Sequence, residues 1–105
     1  MSKDIFADMG FEPEEASNLT LKSDIAISVI KMIKQRHLTQ RQVADLSGWT
    51  QPKVSALMRM KLSDISIEKL LQVSNALNYD VRIVMSEVPA TRKPVASVEF
   101  LQTIA

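Results

Sequence analysis

The stretch from Gln40 to Leu57 constrains this chain more than any other, because its residues fit two short helices joined by a sharp turn. Thr39 stands where a first helix would start, and its hydroxyl can accept an otherwise orphaned backbone N–H. Val43, Ala44 and Leu46 supply an inner face, with Ala44 small enough to let a second helix cross closely. Gly48 stands where the first helix must stop, a place for left-handed backbone that glycine adopts without a Cβ clash. Trp49 fills the turn. Thr50 can cap the second helix, and Pro52 falls in its first turn, where a missing N–H costs nothing. Val54 and Leu57, three apart, face inward. Gln51, Lys53, Ser55, Ala56 and Arg59 are left to point outward.

The spacing of Gln40, Ala44, Gly48, Val54 and Leu57 resembles the helix-turn-helix of the Cro/C1-type (XRE) regulators. An ordinary αα-hairpin with a glycine turn does not need this set of residues at this spacing. Ser47 departs from the family pattern, which usually has an apolar residue there; Leu46 or Trp49 is expected to cover the gap. The resemblance implies an all-α, lambda-repressor-like bundle of about five helices, with the second motif helix entering the DNA major groove.

Charge distribution agrees with that reading. The chain carries +1 overall. Residues 1–18 set Lys3 against Asp4, Asp8, Glu12, Glu14 and Glu15, a net −4. Residues 19–61 set eight lysines and arginines against Asp24 and Asp45, a net +6. Residues 62–88 are net −2 and residues 89–105 net +1. Positive charge thus collects around the motif, as a phosphate backbone requires. A chain of 105 residues, 46% of them apolar, suits one folded domain. It has no cysteine, so neither disulfides nor a thiolate zinc site is expected. No run approaches a membrane span and the opening lacks a signal-peptide core, so a cytoplasmic protein without a membrane partner is expected.

Four segments follow from the periodicity. Residues 1–18 form an N-terminal arm, with a short helix over 4–9 and a helix start at Pro13-Glu14-Glu15, or a frayed arm. Residues 19–78 form the DNA-binding domain. In it a helix runs from about Leu19 to Arg36 on Ile25, Ile27, Val29, Ile30, Met32 and Ile33, and another from Ile67 to about Leu77, capped by Ser66 and ended by Asn78. His37, the single histidine, has no partners for metal or catalytic work and belongs in a loop or near a phosphate. Residues 79–88 alternate apolar and polar side chains and read as a strand. A lone strand leaves its backbone unpaired. Pairing with the same strand of a second copy through Val81, Ile83 and Met85 would give a two-fold dimer; Val95–Val98 folding back is the alternative. Residues 89–105 form a linker and tail that is flexible, docked on the core or partner-binding.

The opening Ile5–Phe11, the Pro13–Ala16 segment, Gln51–Leu57 and the strand after Ala76–Asn78 are together similar to HigA-like antitoxins, over roughly residues 4–86. Asn78 replaces a glycine often found there. This narrower resemblance implies a homodimer that binds its own operator and neutralises a RelE-like ribonuclease toxin. Two other readings stand beside it: a stand-alone or phage-derived XRE repressor, and a protein-interaction module that no longer binds DNA. On DNA, Gln51 is the expected base reader, since its amide can give and accept one bond each with adenine. Ser55 and Ala56 can meet base edges, and Lys53 a guanine or a phosphate. Gln40, Arg41, Thr50, Arg59 and Lys61 are the phosphate candidates. A dimer would set two recognition helices about 34 Å apart on a near-palindrome. No paired carboxylates, triad or Gly-rich phosphate loop suggests catalysis, a cofactor or a metal.

Overall fold

A computed structural model describes residues 13–101 of the chain, with side chains from Thr20 onward. Four helices occupy the described residues: α1 (Pro13–Gln35), α2 (Gln40–Ser47), α3 (Gln51–Met58) and α4 (Ile67–Ala76). The fold class is all-helical, with four helices rather than about five; the short helix expected over 4–9 lies outside the described residues. α1 is one continuous helix from Pro13 through the point near Leu19 where a start was expected. Proline at its first position forfeits only an N–H that has no intrahelical partner.

The core is built from one stripe of each helix. Ala26, Val29, Met32 and Ile33 of α1 meet Val43 and Ala44 of α2, Val54 and Leu57 of α3, and Leu70 and Val73 of α4. Ile65 and Leu77, just outside helices, complete it. α1 packs chiefly on α4, and α2 packs on both α3 and α4. Full burial of each valine, leucine, isoleucine or methionine among them is worth roughly 1.5–3 kcal/mol. Of the expected inner residues, Ile25 and Ile30 are half-buried against this set, whereas Leu46 is 53% exposed and Ile27 43%. Ile65, expected only as part of a loop, is buried.

The helix ends follow one plan. Thr39, Thr50 and Ser66 cap α2, α3 and α4, each accepting a backbone N–H three residues on. α1, α3 and α4 each terminate on a non-glycine residue in left-handed backbone: His37 at φ 54°, Met60 at 59° and Asn78 at 70°. At each, two successive N–H groups turn back to orphan carbonyls of the last turn: His37 to Lys34 and Leu38 to Ile33, Met60 to Leu57 and Lys61 to Ala56, Asn78 to Asn75 and Tyr79 to Ser74. The expected stop at Asn78 is therefore observed.

Beyond Tyr79 the regular structure ceases. No strand is formed among the described residues, and the expected strand over 79–88 is not laddered in the single chain. Nor do residues 95–98 pair with it. A strand is made by its partner, and this segment has none beside it. The chain does reverse, through a turn closed by Arg92 N–H to the Pro89 carbonyl at 3.1 Å. The return brings the Phe100 ring to 5.8 Å from Tyr79, centroid to centroid. Arg36, at the end of α1, donates to the Leu77 carbonyl and lies 5.7 Å from the Tyr79 ring centroid. No described helix is long and apolar enough to cross a membrane.

Candidate nucleic-acid interface

α2 begins with a reciprocal cap. Thr39 Oγ1 accepts from Gln42 N–H at 3.1 Å, and Gln42 Oε1 accepts from Thr39 N–H at 2.8 Å. The sequence carries the signal for this reciprocal cap as Thr-x-x-Gln. Gln40 and Arg41 occupy the first turn and are exposed. Their own N–H groups have no intrahelical acceptor by position, so that helix end can receive an anion.

The turn is held from both sides. Gly48 adopts φ 77° and donates to the Ala44 carbonyl at 2.9 Å. Ser47 fills the place of the family's usual apolar residue by hydrogen bonding: its hydroxyl donates to the Val43 carbonyl at 2.6 Å and accepts Trp49 N–H at 3.2 Å. Of the two residues expected to cover the gap, Leu46 is exposed and Trp49 packs against the core, and the Ser47 hydroxyl is itself hydrogen-bonded.

α3 presents the candidate reading face. Thr50 Oγ1 accepts Lys53 N–H at 3.3 Å, fixing the helix start. Val54 and Leu57 anchor the inner side. At 3.6 residues per turn, Gln51, Ser55 and Arg59 form a stripe on the opposite side, with Ala56 beside it. Gln51 and Arg59 are exposed, whereas Ser55 and Ala56 are half-buried. Arg59 Nε lies 3.4 Å from the Ser55 carbonyl, which lays the guanidinium back along the helix.

Lys53 stands apart from this stripe. It lies on the flank toward Trp49, with Nζ 4.9 Å from the ring centroid. The influence of the Lys69 side chain, then partial desolvation, hold its ammonium below the ordinary lysine range, while Asp64 pulls the other way.

The loop after α3 carries Arg59 and Lys61, both exposed. It is fastened at its start by Lys61 N–H to the Ala56 carbonyl at 2.8 Å and at its end by buried Ile65. Between them, Lys22 Nζ of α1 donates to the Leu62 carbonyl at 3.0 Å. In sequence Lys22 is only one of the basic stretch; its partner lies forty residues away, and no local pattern announces it. Arg36, likewise counted as basic, is spent on tying α1 to the end of α4. Among the described residues no group of His, Asp and Glu could hold a metal ion.

Against known proteins, the model of a helix-turn-helix domain family matches residues 5–86. A solved structure described as an XRE family transcriptional regulator matches with a TM-score of 0.74 and 34% identity, covering 84% of this chain and 98% of that one. No curated protein gives a significant match. The family match over most of the chain, joined to a like-sized relative of the same fold, establishes that the chain belongs to the XRE helix-turn-helix family.

Proposed function

We propose that the protein is a sequence-specific DNA-binding transcriptional regulator acting as a homodimer on a near-palindromic operator. One observation carries this reading: α3 has its inner face buried and a stripe of Gln51, Ser55 and Arg59 on its outer side, beside a fastened basic loop. Gln51, Ser55 and Ala56 are the base-edge residues, with Lys53 on their flank. Gln40, Arg41, Thr50, Arg59 and Lys61 fix the register on phosphates. The dimer contact is the extended segment with Val81, Ile83 and Met85, of which Ile83 is 73% and Met85 90% exposed. Side chains of this kind in water mark an interaction site when they are contiguous.

The test is binding of purified protein to DNA from upstream of its own gene and to random DNA, at two salt concentrations. A preference of about a thousandfold or more, with a symmetric footprint, is expected. Equal and steeply salt-dependent binding would leave only phosphate contacts. Gln51→Ala should lose roughly 1–3 kcal/mol on the operator and little on random DNA. Equal losses on both would remove Gln51 as a base reader.

A finer reading makes the protein an antitoxin that represses its own operon and neutralises a RelE-like ribonuclease. It is supported by the acidic opening, net −4 over residues 1–18, which suits a basic partner. Co-expression decides it: a small basic reading frame next to the gene should arrest growth alone and not with this protein. A harmless neighbour leaves a stand-alone repressor.

A further inference from the structure

The reversal of the chain at Pro89–Arg92 fixes more than a direction. The Arg92 N–H donates to the Pro89 carbonyl at 3.1 Å, so these two residues stand opposite each other across the turn. The register of the two arms follows by counting outward: Glu87 is matched with Pro94, Met85 with Ala96, Ile83 with Val98 and Val81 with Phe100. In an antiparallel ladder these alternate pairs exchange hydrogen bonds, and the pairs between them, such as Arg82 with Glu99, do not. Opposite residues share a face. One face would therefore carry only apolar pairs from Val81–Phe100 to Met85–Ala96, and the other would set Arg82 beside Glu99. Val98 and Phe100 are the half-buried residues of the return arm, on the apolar side of this register. The rings of Tyr79 and Phe100, 5.8 Å apart, hold the base of the fork.

Arms so matched nevertheless form no ladder. Two prolines account for it. Pro89 has no N–H to complete the turn pair, and Pro94 has none to give the Glu87 carbonyl, so two of the bonds nearest the turn cannot form. What remains is a two-stranded hairpin, which is marginal in water; three or more strands sharing an apolar face are needed for stability. A second copy can supply the rest. The outer edge of residues 80–88 offers the backbone groups of Arg82, Val84 and Ser86, and no proline interrupts it. Laid antiparallel on its own copy about Ile83, the segment sets Ile83 against Ile83 and Val81 against Met85, all on the apolar face. Centring on Arg82 would oppose two arginines, and centring on Val84 would set Val81 against Glu87.

We infer that residues 81–100 are a hairpin held open in the single chain, and that it closes in this register when a second copy pairs along its outer edge, giving a four-stranded sheet. The inference rests on the homodimer reading above. It adds the return arm to the interface, makes Arg82 and Glu99 the pair that marks the register, and gives Pro89 and Pro94 the role of tying closure to assembly.

The chain has no cysteine, so a disulfide can test the register directly. Arg82→Cys/Glu99→Cys places two thiols on a pair whose Cα atoms would stand roughly 4.5 Å apart, within disulfide reach. Val84→Cys/Glu99→Cys, on the same face but out of register, is the control. The dimer dissociation constant of the full chain is measured by sedimentation equilibrium, oxidised and reduced. The in-register disulfide should tighten the dimer about tenfold or more, because closure then precedes assembly. The slipped disulfide should not tighten it. No tightening by the first, or equal tightening by both, would overturn the inference. Hydrogen exchange of the wild-type chain gives a second reading: the amides of Ala96 and Val98 should gain protection only at concentrations where the dimer forms. A dimer that leaves those two amides unprotected would overturn the hairpin while keeping the homodimer. A wild-type chain that stays monomeric at every concentration would remove the homodimer reading itself, and the hairpin's partner with it.

Discussion

In the helical region, residues 13–78, Leu57, Leu70 and Leu77 are sealed from solvent; in the extended region, residues 79–101, Ile83, Val84 and Met85 stand in it. The two regions are about equally ready to supply apolar side chains. They differ in how the backbone is satisfied. A helix closes its own hydrogen bonds and needs only to turn one stripe inward, which four helices in this chain do for one another. Extended chain needs a neighbour for its N–H and C=O groups before its side chains can pack, and residues 80–88 have no strand paired beside them. The helical region thus satisfies its own backbone, while the extended region packs on the core through Tyr79 and Phe100 and leaves Ile83, Val84 and Met85 in solvent.

The largest effect that could break this contrast comes from truncation. Leu70→Ala, at a fully buried site, should cost about 2–5 kcal/mol in unfolding free energy by denaturant titration. Ile83→Ala should cost the single folded chain close to nothing. If the two losses were alike, the extended region would be part of the core after all. Ile83→Asp sharpens the same point at the level of assembly. A charge placed where two copies meet should raise the dimer dissociation constant at least tenfold, about 1.4 kcal/mol, in sedimentation at several concentrations. A dimer that survives unchanged would place the contact on another face.

The contrast also explains what could be read from the sequence. The cores of α2 and α3, the caps at Thr39, Thr50 and Ser66, and the left-handed stops at Gly48 and Asn78 are local, and each was visible in a few neighbouring residues. Leu46 is exposed because apolar character at a helical position says nothing about which side the neighbouring helix takes; Trp49 packs on the core instead, and the Ser47 hydroxyl bonds the Val43 carbonyl. The ties of Lys22 to Leu62 and of Arg36 to Leu77 join residues far apart in sequence and leave no periodic trace. Within the site, the stripe on α3 was legible from helical spacing, but the removal of Lys53 to the Trp49 flank was not, because it depends on where that ring lies.

Met60 offers a smaller effect inside the helical region. A side chain in left-handed backbone costs about 1–2 kcal/mol, and glycine returns part of that through a more flexible unfolded state. Met60→Gly should therefore raise stability by about 0.5–1 kcal/mol, read as a higher denaturant midpoint. A loss would mean that the Met60 side chain, 38% exposed at φ 59°, makes contacts worth more than its backbone strain.

The least effect belongs to the joint between the regions. Tyr79 is where the last helix turn hands over to extended chain, and it is held by its N–H to the Ser74 carbonyl and by the Arg36 guanidinium at 5.7 Å from its ring. Phe100, returning from the turn at Pro89–Arg92, meets that ring at 5.8 Å with the planes tilted by 52°. Such a pair is worth roughly 0.5–1.5 kcal/mol beyond its buried area, and less here because both rings are only half-covered. Phe100→Ala should accordingly lower global stability by about 0.5 kcal/mol while increasing hydrogen exchange at residues 93–101 far more than at α4. If exchange rose equally in both, the tail would be an integral support of the helices. If it rose only in the tail, the Tyr79–Phe100 contact would be a latch that a partner strand could open, leaving the helical region intact while residues 79–88 gained a new neighbour.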